Sequence, residues 1–203
     1  MPGMPPPVPT EKAALRAFLA QQHDGVRGAA YGLTDEQAHS APSTSAITIA
    51  GLLRHLTVME TAWVRRATAA PAPHVSDARP LEEAAAAYGS DWDPHGETLS
   101  DLMSAFDAMT ARTEALVDEL DLDTPVPVPR DAPWFPRDVE AWSVRWVWFH
   151  LIEEVARHAG HADIVRESID GATMYELLAG REGWPATPWL TPWAPPGAPA
   201  ATP

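Results

Sequence analysis

The segment from residue 143 to about residue 170 constrains the fold most, because its apolar residues recur at helical spacing over most of its length. The spacing predicts one long helix, and Gly171 is available to end it. A helix with one apolar face must bury that face against other elements. The predicted stripe contains Val144, Val147, Leu151, Val155, Ala162, Val165 and Ile169.

Three further amphipathic segments predict helices at about 10–30, 48–69 and 98–120. Thr10 can cap the first helix, and Thr98 with Asp101 fits the capping box of the third. We find no convincing strand pattern, so we predict an all-α four-helix bundle as a single domain over 1–203. The connection over 70–97, in which "LEEAAAAY" predicts a short helix, is too long for a tight turn and favours a crossover.

Both ends of the chain are rich in proline, and we place a proline- and tryptophan-rich tail at 172–203. From residue 180 onward this tail is too rich in Pro and Gly for a helix or central strand. The tail is expected to wrap the surface through its Trp side chains. Tryptophans in this tail and in the loops are candidates either for a pocket mouth or for surface packing. They are Trp92, Trp134, Trp142, Trp184, Trp189 and Trp193.

Composition excludes several classes of function. The net charge is −14 and no run of Lys or Arg forms a basic patch, so we expect no nucleic-acid partner. The chain has no cysteine, so any thiol chemistry must come from a cosubstrate. No secretory signal and no apolar run of roughly 20 residues is found, so a cytoplasmic protein without a membrane partner is expected.

The long helix carries two ionisable residues in or beside its apolar stripe. His158 falls in the middle of the stripe, and Glu154 lies one turn earlier at its edge. A buried carboxylate is rare unless it is paired or binds a metal, and an E-x-x-x-H pair can chelate one ion. His150 and His161 lie further round the helix, and the remaining carboxylates are expected to face solvent: Glu153, Asp163, Glu167 and Asp170.

A third ligand would have to come from another helix. Outside the long helix the chain offers His23, His39, His55, His74 and His95, of which His55 lies well inside a strongly apolar helix. His55, Glu154 and His158 would form an open site of the catalytic type. The alternatives are that the histidines are hydrogen-bonded core residues, and that Glu154 pairs with Arg157 or Arg145.

The runs "LLRHL" and "WSVRWVWFHLIEEVARHAGHADIVRESIDG", with "ETAW" and "LDLDTPVP", resemble the DinB-like superfamily of four-helix metalloproteins, in particular an uncharacterised actinobacterial branch. The resemblance implies one divalent metal ion, held here by His55, Glu154 and His158. Glu154 departs from the commoner H-x-x-x-H pair but is similar to the site of mycothiol-dependent maleylpyruvate isomerases. His161 stands where many relatives have Gln, and it is the candidate catalytic or pocket residue.

The resemblance also implies an activity. Characterised members use bacillithiol, mycothiol or glutathione, so we expect a metal-dependent thiol S-transferase or isomerase that acts on a small electrophile, with mycothiol as the thiol. Zinc is the expected ion, although Ni, Fe, Mn or Co would suit the same ligands. A homodimer is compatible with the resemblance. The alternatives are a non-catalytic small-molecule-binding or self-resistance bundle, and a metal-dependent hydrolase.

Overall fold

Four long helices form the body of the protein. The computed structural model describes residues 3–73, 82–83, 89–129 and 135–195; "LEEAAAAY" therefore falls almost entirely outside the described residues, as do His74 and Trp134. In chain order the elements are α1 (Glu11–Ala30), α2 (Asp35–His39), α3 (Ile49–Ala69), α4 (Leu99–Glu119), β1 (Pro125–Pro127), β2 (Ala141–Ser143), α5 (Val144–Asp170) and α6 (Met174–Glu182).

Polar caps fix where the long helices begin. The side chains of Thr10, Thr48, Thr98 and Ser143 each accept a hydrogen bond from a backbone N–H in the first turn. Thr98 and Asp101 form the predicted capping box. Gly171 ends α5 with a φ of 78°, a left-handed conformation that favours glycine. The predicted bounds of the four helices are therefore confirmed to within a residue or two.

The bundle has the predicted crossover. α1 packs against α4 and α5, and α3 packs against the same two helices, so α1 and α3 lie diagonally across the core although they are consecutive long helices. The all-α bundle is confirmed. Its centre is apolar and fully buried, with Leu19, Leu52, Leu56, Phe106, Trp148 and Leu151 among its side chains.

Two predictions about the connections are wrong. β1 and β2 form a short antiparallel pair in which Val126 lies opposite Trp142, although no strand was expected. Proline is tolerated in so short a ribbon because an edge strand does not need every N–H for pairing. The predicted tail begins with α6, whose N-terminal turn has Thr173 and Glu176 in a capping box.

The part of the tail that follows α6 packs on the bundle, as predicted, through Trp193. The ring of Trp193 lies over the guanidinium of Arg166, and its backbone N–H donates to Glu176 O. A Cβ built on Gly32 would lie 2.4 Å from the Trp193 ring, so glycine is needed there for both space and a positive φ. Trp189 is 80% exposed and makes no comparable contact.

Candidate active site

The predicted site residues lie on the two facing helices α3 and α5. His158 Nε2 is 3.5 Å from Glu154 Oε2, which is the distance expected for residues one turn apart on α5. His55, on α3, places its ring 4.9 Å from the ring of His158, centroid to centroid. The structure therefore places His158 between two neighbours, with Glu154 one turn away on the same helix and His55 on the facing helix.

Burial keeps both imidazoles neutral. It lowers the pKa of His55 to about 4, with a further contribution from His158. It also lowers the pKa of His158 to about 4, and the charges of His161 and Arg157 add to the effect. A neutral imidazole keeps the lone pair that a metal ion needs. Near neutral pH both rings are thus in the protonation state of a ligand.

Glu154 lies at the rim of this group, with 31% of its side chain exposed. The two arginines offered as alternative partners are engaged elsewhere. Arg145 bonds Glu11 and Asp123, and Arg157 lies 4.0 Å from Glu153. The carboxylate of Glu154 therefore faces His158 rather than an arginine.

The donor types fit a divalent ion, because two imidazoles and a carboxylate are the ligand set of open catalytic zinc sites. Among the described residues, however, no three His, Asp or Glu side chains already converge as a ligand group. The structure places the three residues as adjoining pairs rather than as a closed coordination shell.

His161 contacts one of the proposed ligands directly. Its Nδ1 lies 3.4 Å from Nδ1 of His158, and which ring donates the hydrogen depends on the tautomers. This contact engages the nitrogen of His158 that points away from Glu154. His161 is therefore placed to orient the His158 ring.

Trp92 covers the site from the segment that precedes α4. Its ring stacks on His55 at 3.9 Å and 11°, and it meets the ring of His158 edge-on at 5.3 Å. This approach depends on Gly51, because a Cβ there would lie 2.8 Å from the carbonyl oxygen of Trp92. Of the six tryptophans offered for a pocket mouth, Trp92 adjoins the candidate site.

Trp142, Trp184 and His150 make contacts away from the candidate site. Trp142, Trp146 and His150 stack in succession along α5, and Trp63 meets all three rings. The indole N–H of Trp184 donates to Glu182. These contacts favour aromatic packing for Trp142 and a surface hydrogen bond for Trp184, rather than a pocket mouth.

His23 is a further buried histidine, and its role was not predicted from the sequence. His23 is fully buried, and its two ring nitrogens lie 2.9 Å from Glu60 and 2.9 Å from Glu114. Burial alone would lower the pKa of His23, but the charges and hydrogen bonds of the two carboxylates outweigh it and raise the pKa. The sequence signal was spacing, since His23 follows Leu19 and Glu60 follows Leu56 by four residues within apolar stripes.

Of the α5 carboxylates predicted to face solvent, Asp163 is partly covered, and Asp170 is exposed but paired with Arg166. Asp163 is half-buried, and burial together with Glu167 raises its pKa to about 6. Asp170 forms a bidentate pair with Arg166, which is fully buried and also donates to Ala29 O and Tyr31 O. The hydrophobic stripe alone did not predict this arginine.

Comparison with known proteins agrees with the fold and decides the family. Residues 14–171 match the family model described as mycothiol-S-transferase, which is more than half of the chain. The chain belongs to this family. The DinB-like resemblance is thereby confirmed.

Two solved structures are similar to this member of the family. A conserved protein from Enterococcus faecalis has a TM-score of 0.53 at 16% identity, over 81% of this chain and all of that one. YfiT from Bacillus subtilis, described as a probable metal-dependent hydrolase with an unusual four-helix bundle topology, has a TM-score of 0.47 at 17% identity, over 89% of this chain and 94% of that one. At such identity the first likeness shows the fold alone. None of the curated proteins compared with the chain matches it.

No helix in the described part of the chain is long and apolar enough to cross a membrane.

Proposed function

We propose that this protein is a divalent-metal-dependent enzyme that joins a low-molecular-weight thiol to a small electrophile, or isomerises the electrophile through reversible thiol addition. Mycothiol is the proposed thiol, because the family that matches residues 14–171 is described by it. The absence of cysteine from the whole sequence means that the reacting sulfur must come from a cosubstrate.

One observation carries the metal part of the proposal. The neutral rings of His55 and His158 adjoin each other between two helices, and the carboxylate of Glu154 lies beside the second ring. Burial disfavours the protonated form of both rings, as their lowered pKa values indicate, so each ring keeps a nitrogen lone pair for a cation. Such a cation would also be attracted by the carboxylate of Glu154.

Each residue then has a distinct task. His55, Glu154 and His158 hold the ion, and the Glu154 carboxylate offsets part of its charge. His161 fixes the orientation of His158 through Nδ1, which leaves the Nε2 atom beside Glu154 as the donor. Trp92 shields the face of His55 from water. An ion held there would lower the pKa of a bound thiol, so that its sulfur is a thiolate near neutral pH.

The test measures whether the protein accelerates thioether formation and whether that rate depends on added thiol. Wild type loaded with one equivalent of zinc is mixed with mycothiol and 1-chloro-2,4-dinitrobenzene, and the thioether is followed by absorbance. We expect a rate above the uncatalysed one, which falls by about 100-fold or more in Glu154→Gln and in His158→Gln. Glu153→Gln is the matched control, since Glu153 is the neighbouring carboxylate and is 64% exposed.

Two results would count against the proposal. If the electrophile is consumed equally fast without thiol, hydrolysis replaces thiol transfer as the activity. If Glu154→Gln and His158→Gln both react as fast as Glu153→Gln, the proposed site is not where the reaction occurs.

A further inference from the structure

One cavity of the protein lies away from the candidate metal centre. None of the candidate metal ligands His55, Glu154 and His158 is among its lining residues. It has a volume of about 140 Å³, is partly open to solvent, and lies between α1, α5 and α6, with Gly3 also in its lining. Ala29, Ala159 and Leu178 are buried and give it an apolar floor. Its charged residues are Asp24, Asp163 and Arg181.

Asp163 is the unusual group in this cavity. It is half-buried, and none of the residues in the described ranges donates a hydrogen bond to its carboxylate or forms an ion pair with it. Partial burial of a carboxylate that has no partner among these residues carries a free-energy cost. Burial and the nearby charge of Glu167 accordingly raise its pKa to about 6.

Arg181 does not supply the missing positive charge, because it is already committed to Asp24. Its Nη2 donates to the Asp24 carboxylate, and its Nη1 lies 3.3 Å from the backbone oxygen of the same residue. The cavity therefore contains two carboxylates and one guanidinium, and it keeps one negative charge in excess. An anionic ligand is disfavoured by this balance.

The size and floor of the cavity limit what could fill it. Its volume is close to that of an engineered cavity of about 150 Å³ that takes up benzene, so about six heavy atoms can be accommodated. A Cβ on Gly25 would make an ordinary van der Waals contact with Cβ of Ala159, 3.6 Å away, so the glycine leaves the volume of one methyl group to the cavity. An occupant that combines one positive charge with a short apolar part would match both the excess charge and the floor.

We propose that this cavity binds a small organic cation, a primary ammonium group on a short alkyl chain, with the ammonium against Asp163 and the chain against Ala159 and Leu178. The ammonium supplies the donors that the Asp163 carboxylate lacks. The site is separate from the metal chemistry, and its occupancy does not depend on whether thiol transfer occurs.

The test uses n-butylammonium chloride as the probe and n-butanol as its uncharged counterpart, both titrated into the full chain at constant ionic strength near pH 7.5. Binding is followed by calorimetry and by amide chemical shifts of α1, α5 and α6. We expect saturable binding of the ammonium and binding of the alcohol at least about tenfold weaker. Asp163→Asn should weaken ammonium binding by a similar factor and leave binding of the alcohol unchanged.

Glu167→Gln is the control variant, because it removes one exposed negative charge from the same helix and keeps Asp163. It should bind the ammonium nearly as wild type does. The proposal is overturned if the ammonium and the alcohol bind wild type equally, if no saturable binding occurs, which would mean that water alone fills the cavity, or if folded Asp163→Asn binds the ammonium as well as wild type.

Discussion

Two buried histidine clusters in this bundle have opposite electrostatics. His23 lies between Glu60 and Glu114, and their charges raise its pKa despite complete burial. His55 and His158 lie beside each other, and burial lowers the pKa of both to about 4. The carboxylates of the first cluster therefore favour the protonated form of its histidine, whereas burial in the second cluster favours the neutral form of both rings.

The comparison shows that burial alone does not identify a metal ligand. Both ring nitrogens of His23 are hydrogen-bonded to carboxylates, so His23 has no lone pair to offer and acts as a polar tie between three helices. The rings of His55 and His158 are neutral and keep a lone pair. A substitution in the first cluster should therefore affect stability, and one in the second should affect binding.

The largest effect is expected from Glu60→Ala. It removes a fully buried carboxylate from His23, and breaking a buried pair in this way costs about 3–5 kcal/mol of unfolding free energy. Urea denaturation measures the loss. Glu11→Ala is the control, since its partly exposed pair with Arg145 should contribute less than about 1 kcal/mol. Metal loss from folded Glu60→Ala would break the distinction between the two clusters.

The second effect concerns the pH dependence of stability in metal-free protein. Because the folded pKa values of His55 and His158 are lowered, the unfolded chain binds more protons between pH 4 and 6.5, so stability falls as the pH drops through this range. We expect a loss on the order of 3 kcal/mol for each ring by pH 4. Because the pKa of His23 is raised, its contribution has the opposite sign and is lost as the pH rises above 6.5.

Urea denaturation at several pH values separates these contributions. His55→Gln combined with His158→Gln should make the unfolding free energy less dependent on pH below 6.5. His23→Gln should make it less dependent on pH above 6.5. If the double substitution leaves the pH dependence of the unfolding free energy below pH 6.5 unchanged, the two rings are not neutral in the folded protein.

A smaller effect is expected from Gly51→Ala. The new Cβ would lie 2.8 Å from the carbonyl oxygen of Trp92, so the Trp92 segment must move away from His55 at a cost of roughly 1–2 kcal/mol. Gly160→Ala is the matched control, because a Cβ at this exposed helical position meets no atom within 4 Å. It should stabilise the protein slightly, by up to about 1 kcal/mol.

Metal affinity tests what this displacement does to the second cluster. If Trp92 positions His55, Gly51→Ala should weaken metal binding while Gly160→Ala leaves it unchanged. Equal affinity in both variants would reduce Trp92 to a packing residue.

Local pattern predicted the elements that depend on one segment. The four long helices, the caps at Thr10 and Thr98 and the end at Gly171 all follow from spacing and capping chemistry within a helix. The proximity of Glu154 to His158 follows for the same reason, since both lie on one helix a turn apart. These features need no knowledge of the neighbours.

What the sequence did not predict depends on packing between segments. Glu60 and Glu114 meet His23 only because three helices converge there, and Arg166 is buried only because the ends of α1 and α5 surround it. Asp163 lies on the polar side of its helix by periodicity, yet α6 and the end of α1 partly cover it. Hydrophobic spacing describes one helix and cannot report which neighbour covers its polar face.

The most direct test of the central claim is metal stoichiometry measured by native mass spectrometry and elemental analysis. We expect one divalent ion per chain in wild type and in the control variants Glu153→Gln and folded His23→Gln. We expect that ion to be lost in Glu154→Gln and in His158→Gln. Retention of the ion in both of the latter variants, or its loss from His23→Gln, would contradict the assignment of the site to His55, Glu154 and His158.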